Sequence, residues 1–142
     1  MDYSNITELD LSNKGLTKLP DLSLYTNLKN LNCSQNQITS MDNLPQAITK
    51  LECYNNQITS LDNLPQTITT LCCSNNKLTS LDNLPLTLTE LYCFNNQITS
   101  LDNLPLTLTE LYCSGNPLKY DFTPTLENIR KHTQNTYIKI KN

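Results

Sequence analysis

The sequence predicts a solenoid of six stacked coils, each a short strand, a sharp bend and a return without helix. Three observations predict it. The thirteen residues Leu81–Cys93 come back unchanged at Leu101–Cys113, an offset of twenty. The same frame stands one and two offsets earlier, as LDNLPQTITTLCC from Leu61 and MDNLPQAITKLEC from Met41. Four of the seven prolines (Pro45, Pro65, Pro85 and Pro105) fall in one slot of that frame, in a chain with two glycines and no tryptophan. A fixed period of this size dictates the architecture before any local propensity is read. Regular proline with scarce glycine excludes a long helical bundle and low-complexity disorder.

The first coil carries Ile6, Leu9, Leu11 and Leu16, with Lys14 where the later coils have Asn. The next coil starts twenty-two residues after Ile6. An atypical first copy is the mark of an end cap. The second coil is Leu28, Leu31, Cys33, Asn36, Ile38, and the third is Ile48, Leu51, Cys53, Asn56, Ile58. The fourth is Ile68, Leu71, Cys73, Asn76, Leu78, and the fifth is Leu88, Leu91, Cys93, Asn96, Ile98. The sixth is Leu108, Leu111, Cys113, Asn116, Leu118, after which the period stops. Apolar residues alternate around each Leu-x-Cys, as in a short strand with one buried face. The Asn and Pro slots each bend the chain, leaving too few residues for a crossover helix, so the return is predicted extended or polyproline-like. One coil cannot bury its apolar side alone and does so only by stacking on its neighbours.

The last segment differs in kind. Thr123 is predicted to cap a helix with Pro124 as its first residue, and Leu126, Ile129 and Arg130 follow at helical spacing. Tyr137, Ile138, Lys139 and Ile140 then alternate as a strand would. Residues 1–118 are thus read as the solenoid and 119–142 as a small α/β C-terminal cap over the sixth coil.

Composition narrows the function. At 142 residues the chain is read as one domain able to bury a core. Net charge is −3, divided between an acidic body and a basic tail that carries Lys119, Arg130, Lys131, Lys139 and Lys141. An acidic body argues against a nucleic-acid groove, which needs clustered Lys and Arg, and the tail reads as a solvated helix face. There is no apolar run of membrane-spanning length. The start, MDYSNITELD, is polar and acidic rather than secretory, so a cytoplasmic protein is expected.

Five of the six cysteines (Cys33, Cys53, Cys73, Cys93 and Cys113) occupy one inward slot. Stacking would space them about 4.8 Å apart, a distance a disulfide permits, but parallel Cβ vectors fit its torsion poorly. Zinc wants four converging ligands, and a straight column diverges. These cysteines are therefore read as small buried hydrophobes, and no metal or cofactor is expected. Cys72 falls in an outward slot and is read as an exposed thiol. The recurring Asn36, Asn56, Asn76, Asn96 and Asn116 can supply both donors and acceptors to turn backbone that has lost its ladder partners. Asp42, Asp62, Asp82 and Asp102 are read as Asx-turn residues, with weak cation binding as the alternative. His132 stands alone beside Arg130 and Lys131, and no catalytic arrangement or phosphate loop can be assembled.

The pattern resembles the leucine-rich repeat family, L-x-x-L-x-L-x-x-N-x-L, with Cys in the third apolar slot, from about Ile6 to Leu118. The twenty-residue length and the Leu-Pro before each unit are similar to the short bacterial-effector class. The Cys-for-Leu slot and the Leu-Asp-Asn-Leu-Pro wording resemble leucine-rich repeat proteins of giant viruses. The resemblance implies a curved solenoid with short parallel strands on the concave face, returns on the convex face, and an asparagine ladder. Some members of the effector class add a ubiquitin-ligase domain after the repeats. Too few residues follow the sixth coil here for one, so an enzyme is not expected.

Binding capacity lies in the slots that vary between coils. The outward slots put Tyr54, Tyr92, Phe94 and Tyr112 on one exposed sheet face, beside Glu52, Glu90 and Glu110. Aromatics on an exposed face are common at interfaces; stacking on each other to cover the sheet is the alternative. Tyr54, Glu90, Tyr92, Phe94, Glu110 and Tyr112 are the candidate partner-binding residues, with the hot spot expected in the C-terminal half. The expected activity is non-catalytic recognition of a protein or peptide offering basic and apolar groups, by a monomer, in the host cytoplasm if the source is a virus or an effector. The alternative is a structural or self-assembling repeat protein.

Overall fold

The computed structural model describes residues 3–141, with side chains described through Thr136. Six three-residue strands form one parallel sheet in sequence order: β1 (Glu8–Asp10), β2 (Asn30–Asn32), β3 (Lys50–Glu52), β4 (Thr70–Cys72), β5 (Glu90–Tyr92) and β6 (Glu110–Tyr112). The register is that of the repeat, so Leu31, Leu51, Leu71, Leu91 and Leu111 stand side by side from β2 to β6. Each strand therefore repeats the orientation of the one before it, and every slot of the sequence becomes a column in space.

The core is made of those columns. In the interior coils the apolar slots are fully buried, as at Ile48, Leu51, Cys53 and Ile58 or Ile68, Leu71, Cys73 and Leu78. The end coils are less covered: Leu9, Leu11, Leu16, Leu111 and Leu118 are only half-buried against the same core. This is the expected cost of having a neighbour on one side. Each return turns twice. The first bend places Asn43, Asn63 or Asn83 at positive φ. The second carries a hydrogen bond from Ile48, Ile68, Leu88 or Leu108 N–H to the carbonyl of Pro45, Pro65, Pro85 or Pro105. No return contains helix.

The two asparagines of each Asn-Asn pair do different work. The first, Asn55, Asn75 or Asn95, adopts φ near +54°, as do Asn13 and Gln35 in the same column. Asn tolerates the left-handed region better than other residues with a Cβ. In the sixth coil the slot holds Gly115 at φ +70°, where a Cβ would come 2.1 Å from the Asn95 side-chain oxygen. The second asparagine points inward. Asn76 Nδ2 donates to the carbonyls of Cys73 and Cys53, and Asn76 Oδ1 accepts from Ile58 N–H of the preceding coil. Asn56, Asn96 and Asn116 repeat that pattern. In the first coil, where Lys14 fills the slot, Asn36 Oδ1 accepts from both Lys14 and Leu16 N–H.

Threonines join the coils on the opposite edge of each strand. Thr67, Thr87 and Thr107 each place Oγ1 within hydrogen-bonding distance of two carbonyls of the coil before, at 2.7–2.9 Å. Ala47 occupies the slot in the third coil.

The C-terminal segment folds as helix α1, Leu126–Lys141. Two expectations are corrected here. Thr125 is the cap in place of Thr123: Asn128 N–H donates to Thr125 Oγ1, and the first helical bond runs from Ile129 N–H to the Thr125 carbonyl. The strand expected at 137–140 is helical backbone instead, so among the described residues the end segment carries no strand. A started helix adds a hydrogen bond with each residue it extends, whereas four alternating residues without a paired neighbour gain none. Ile129 enters the core, and Tyr120, Phe122 and Leu126 pack on it half-buried. Arg130 Nη2 donates to the carbonyls of Leu106 and Leu108, at 3.0 and 2.7 Å. Those are the carbonyls that a threonine of a seventh coil would reach.

Candidate functional site

The strand residues flanking the central leucines form the open face of the sheet. Glu8, Asp10, Glu52, Glu90 and Glu110 put five carboxylates there against the single ammonium of Lys50. Lys50 pairs with Glu52 at 2.6 Å, and that bond and charge hold the lysine above its ordinary pKa. With both partners part-exposed, the pair adds little stability.

The face has two unlike halves. Over β5 and β6, Tyr92 and Tyr112 stack with ring centroids 4.6 Å apart and planes within 5°. Partial burial, the neighbouring phenol of Tyr112 and the carboxylates of Glu110 and Glu90 raise the pKa of Tyr92. Over β1 to β3 the side chains are shorter, leaving a groove of about 420 Å³ bounded by Glu8, Asp10, Asn30, Asn32, Lys50 and Glu52. Apart from Tyr54, the candidate contacts read from the sequence fall in the aromatic half; the groove is not among them, although Asp and Asn in columns that later hold Tyr were its signal.

Of the six candidate residues, the structure brings Glu90, Tyr92, Glu110 and Tyr112 together on adjacent strands. Tyr54 and Phe94 stand two residues beyond the strands, half-buried, in the neighbouring column. The backbone register carries on through that column, from Asn55 N–H to the Ser74 carbonyl and from Asn75 N–H to the Phe94 carbonyl. Ser74 therefore lies between Tyr54 and Phe94, and only 1% of its surface is exposed.

The chemistry of the cysteines follows from their columns. All six are free thiols. Burial pushes the inward thiols up, to about 12 at Cys33 and Cys93 and well above the ordinary value at Cys53 and Cys73. Cys72 is half-buried rather than exposed. Burial, with the carboxylates of Glu52 and Glu90 adding to it, pushes Cys72 to about 11. A thiol held so high is a poor nucleophile at neutral pH. Among the described residues no group of three His, Cys, Asp or Glu converges on a point where a metal could sit. His132 packs on Tyr120 and Phe122 at 5.4 Å.

The aspartate column departs from the Asx-turn reading. Asp42 and Asp62 accept from the hydroxyls of Ser40 and Ser60, and Asp102 accepts from Tyr120 Oη at 2.8 Å. Asn43, Asn63 and Asn83, one residue later, supply the left-handed conformation of the bend. Asx bonds do form at Asp10 and Asp21, which accept from Ser12 and Ser23 N–H; the Ser12 hydroxyl and N–H lower the pKa of Asp10, and the Ser23 N–H and hydroxyl that of Asp21.

A parallel one-sheet stack with this register, inward Leu-x-Cys and inward Asn is a leucine-rich repeat solenoid of the short-repeat class. Its structural neighbours are bacterial leucine-rich repeat proteins. A Shigella effector leucine-rich repeat domain superposes with TM-score 0.77 and 33% identity, over 87% of this chain and 55% of that one. YopM of Yersinia enterocolitica does so with TM-score 0.74 and 37% identity, over 81% of this chain and 26% of that one. InlJ of Listeria monocytogenes, whose functional domain includes a cysteine ladder, matches with TM-score 0.60 and 34% identity, over 84% of this chain and 32% of that one. The chain thus spans between about a quarter and about half the length of these neighbours. No protein-family model and no curated relative matches the sequence. Among the described residues no helix is long and apolar enough to cross a membrane.

Proposed function

We propose that the chain is a non-catalytic recognition module that takes a protein partner on its concave face, in the cytoplasm. Helix α1 and the segment leading to it, 119–142, act as the cap of the 1–118 solenoid, and the asparagine column serves as its internal ladder. The observation that carries the reading is the juxtaposition on one face of five carboxylates, one lysine and the stacked pair Tyr92–Tyr112. Such a face favours apolar groups accompanied by Lys or Arg and repels phosphate backbones. Tyr92 and Tyr112 are the anchors, Glu90 and Glu110 select for basic groups, and Tyr54 and Phe94 widen the apolar area. The bacterial effector neighbours support an interaction role in general.

The test is pull-down from lysate with the wild-type chain and with Tyr92→Ala combined with Phe94→Ala. The double variant is expected to lose its partner while its melting temperature stays within a few degrees. Early unfolding would make the aromatics sheet cover, and a stable variant that still captures the partner would move the contact elsewhere. Self-assembly is the second reading, favoured by Leu86 and Leu106, which are 74% and 90% exposed in one column of adjacent coils. It predicts a mass that rises with concentration in light scattering.

A further inference from the structure

We propose that the strand face holds a slot for one arginine side chain of the partner, above Cys72, between the ring of Tyr92 and the carboxylate of Glu52. The inference rests on the reading of this face as the recognition surface.

The slot follows from the column of residue 72. On successive strands that column reads Asp10, Asn32, Glu52, Cys72, Tyr92, Tyr112. The Tyr92–Tyr112 centroid separation of 4.6 Å is close to the spacing of neighbouring strands, about 4.8 Å. The stack therefore advances along the sheet one ring per coil. Its next ring-sized place lies above Cys72, whose side chain is too short to fill it. Glu52 stands on the far side, two strand spacings from Tyr92, roughly 9–10 Å between backbones. That interval accepts one flat group in contact with the ring, with the Glu52 side chain long enough to reach its edge. One face of the Tyr92 ring is covered by Tyr112; the other borders this place.

The charge around the place selects a cation. Glu52 stands directly beside Cys72 in the sheet register, and Glu90 stands opposite Thr70 on the other neighbouring strand, so two carboxylates flank its position. Lys50 is the basic group beside them, and its pair with Glu52 is part-exposed, with 48% of the lysine side chain open to solvent. Such pairs are weakly held, so Glu52 can turn to a better donor. A second observation is that the column lacks at Cys72 the polar acceptor it has at Asn32. Ser34, two residues after Asn32, donates its hydroxyl to Asn32 Oδ1 at 2.6 Å. Ser74 holds the same relation to Cys72, whose thiol is a poor acceptor. The Ser74 hydroxyl is 99% buried with its residue and, among the described residues, is the buried side-chain polar atom left without a partner.

Guanidinium fits these features better than ammonium. It is planar and stacks on a tyrosine face. Its donors point outward around the edge of that plane, where the flexible Glu52 and Glu90 side chains can extend to meet them. A lysine offers a point charge with no face to stack. An uncharged planar group would stack but leave the carboxylates unanswered.

The experiment titrates the full chain with three probes, the Nα-acetyl amides of arginine, lysine and citrulline, and follows the NMR signals of Tyr92 and Cys72. Arginine amide is expected to shift both saturably, with affinity at least ~10-fold above the lysine and citrulline amides. Cys72→Tyr, which fills the place with a third ring, is expected to abolish the shift at an unchanged fold. Glu52→Gln is expected to weaken it several-fold, and it decides the matter if Cys72→Tyr does not fold. Absence of saturable binding, equal binding of the three probes, or full binding by both variants would overturn the slot. Because no partner is needed, the outcomes separate. If the slot fails while Tyr92→Ala with Phe94→Ala still abolishes partner capture, the recognition face stands and only the arginine assignment falls.

Discussion

In the interior coils, the Thr67, Thr87 and Thr107 hydroxyls each sit against two carbonyls of the preceding coil. At the C-terminal end, the two equivalent carbonyls, of Leu106 and Leu108, receive Arg130 Nη2 from helix α1. A threonine hydroxyl has one proton to share between two acceptors, whereas Nη2 has two, one for each. The interior solves the problem by repetition, because each coil is the partner of the next. The end solves it with a residue from an unrelated element. The comparison shows that what the stack needs at its terminus is a set of donors and apolar atoms at given points, and a seventh coil is not the only way to supply them.

The largest break in that comparison is removal of the end element. A chain truncated before Tyr120 loses Ile129 from the core, Arg130 from its carbonyls and the bond from Leu101 N–H to Tyr120 Oη. It is expected to aggregate, read as loss of the monomer peak in size-exclusion chromatography. A soluble truncated monomer with the wild-type melting temperature would show that α1 is not needed to close the stack.

Next in size is the inward asparagine column. Asn76→Ala is expected to cost about 1–3 kcal/mol in denaturant unfolding, because it leaves buried backbone groups of two coils unpaired. Arg130→Met, which keeps the apolar stem and removes the donors, should cost less, about 1 kcal/mol, since solvent reaches the half-buried end. Equal costs would mean that the end is as tightly specified as the interior.

The smallest effect has the opposite sign. Ala47 lacks the hydroxyl that Thr67, Thr87 and Thr107 contribute in its column. Ala47→Thr is expected to stabilise the chain by about 0.5–1.5 kcal/mol, the net worth of one hydrogen bond. An unchanged denaturation midpoint would indicate that the threonine contacts accompany the stack without strengthening it.

The period of twenty, the inward Leu-x-Cys and the inward Asn were legible because a repeat tests each slot several times over: a residue type held constant in every coil can only be answering the same environment. That is why the strands, their parallel order and the buried cysteines could be derived from the sequence alone. The end segment offered no such repetition. Alternation at Tyr137–Ile140 reads as strand, and only the backbone's own continuation from Thr125 decides for helix. Cys72 reads as outward from its slot, but its half-burial and the charges of Glu52, Lys50 and Glu90 that act on it come from neighbouring coils, which no single coil contains. Likewise the groove over β1 to β3 and the stacked pair over β5 and β6 are properties of neighbouring columns. The sequence by itself determined which residues face in and which face out, because that depends on local alternation and on the period. Only the tertiary structure decided what the outward residues form together, because that depends on how strands twenty residues apart in the chain come to lie one hydrogen-bond ladder apart in space.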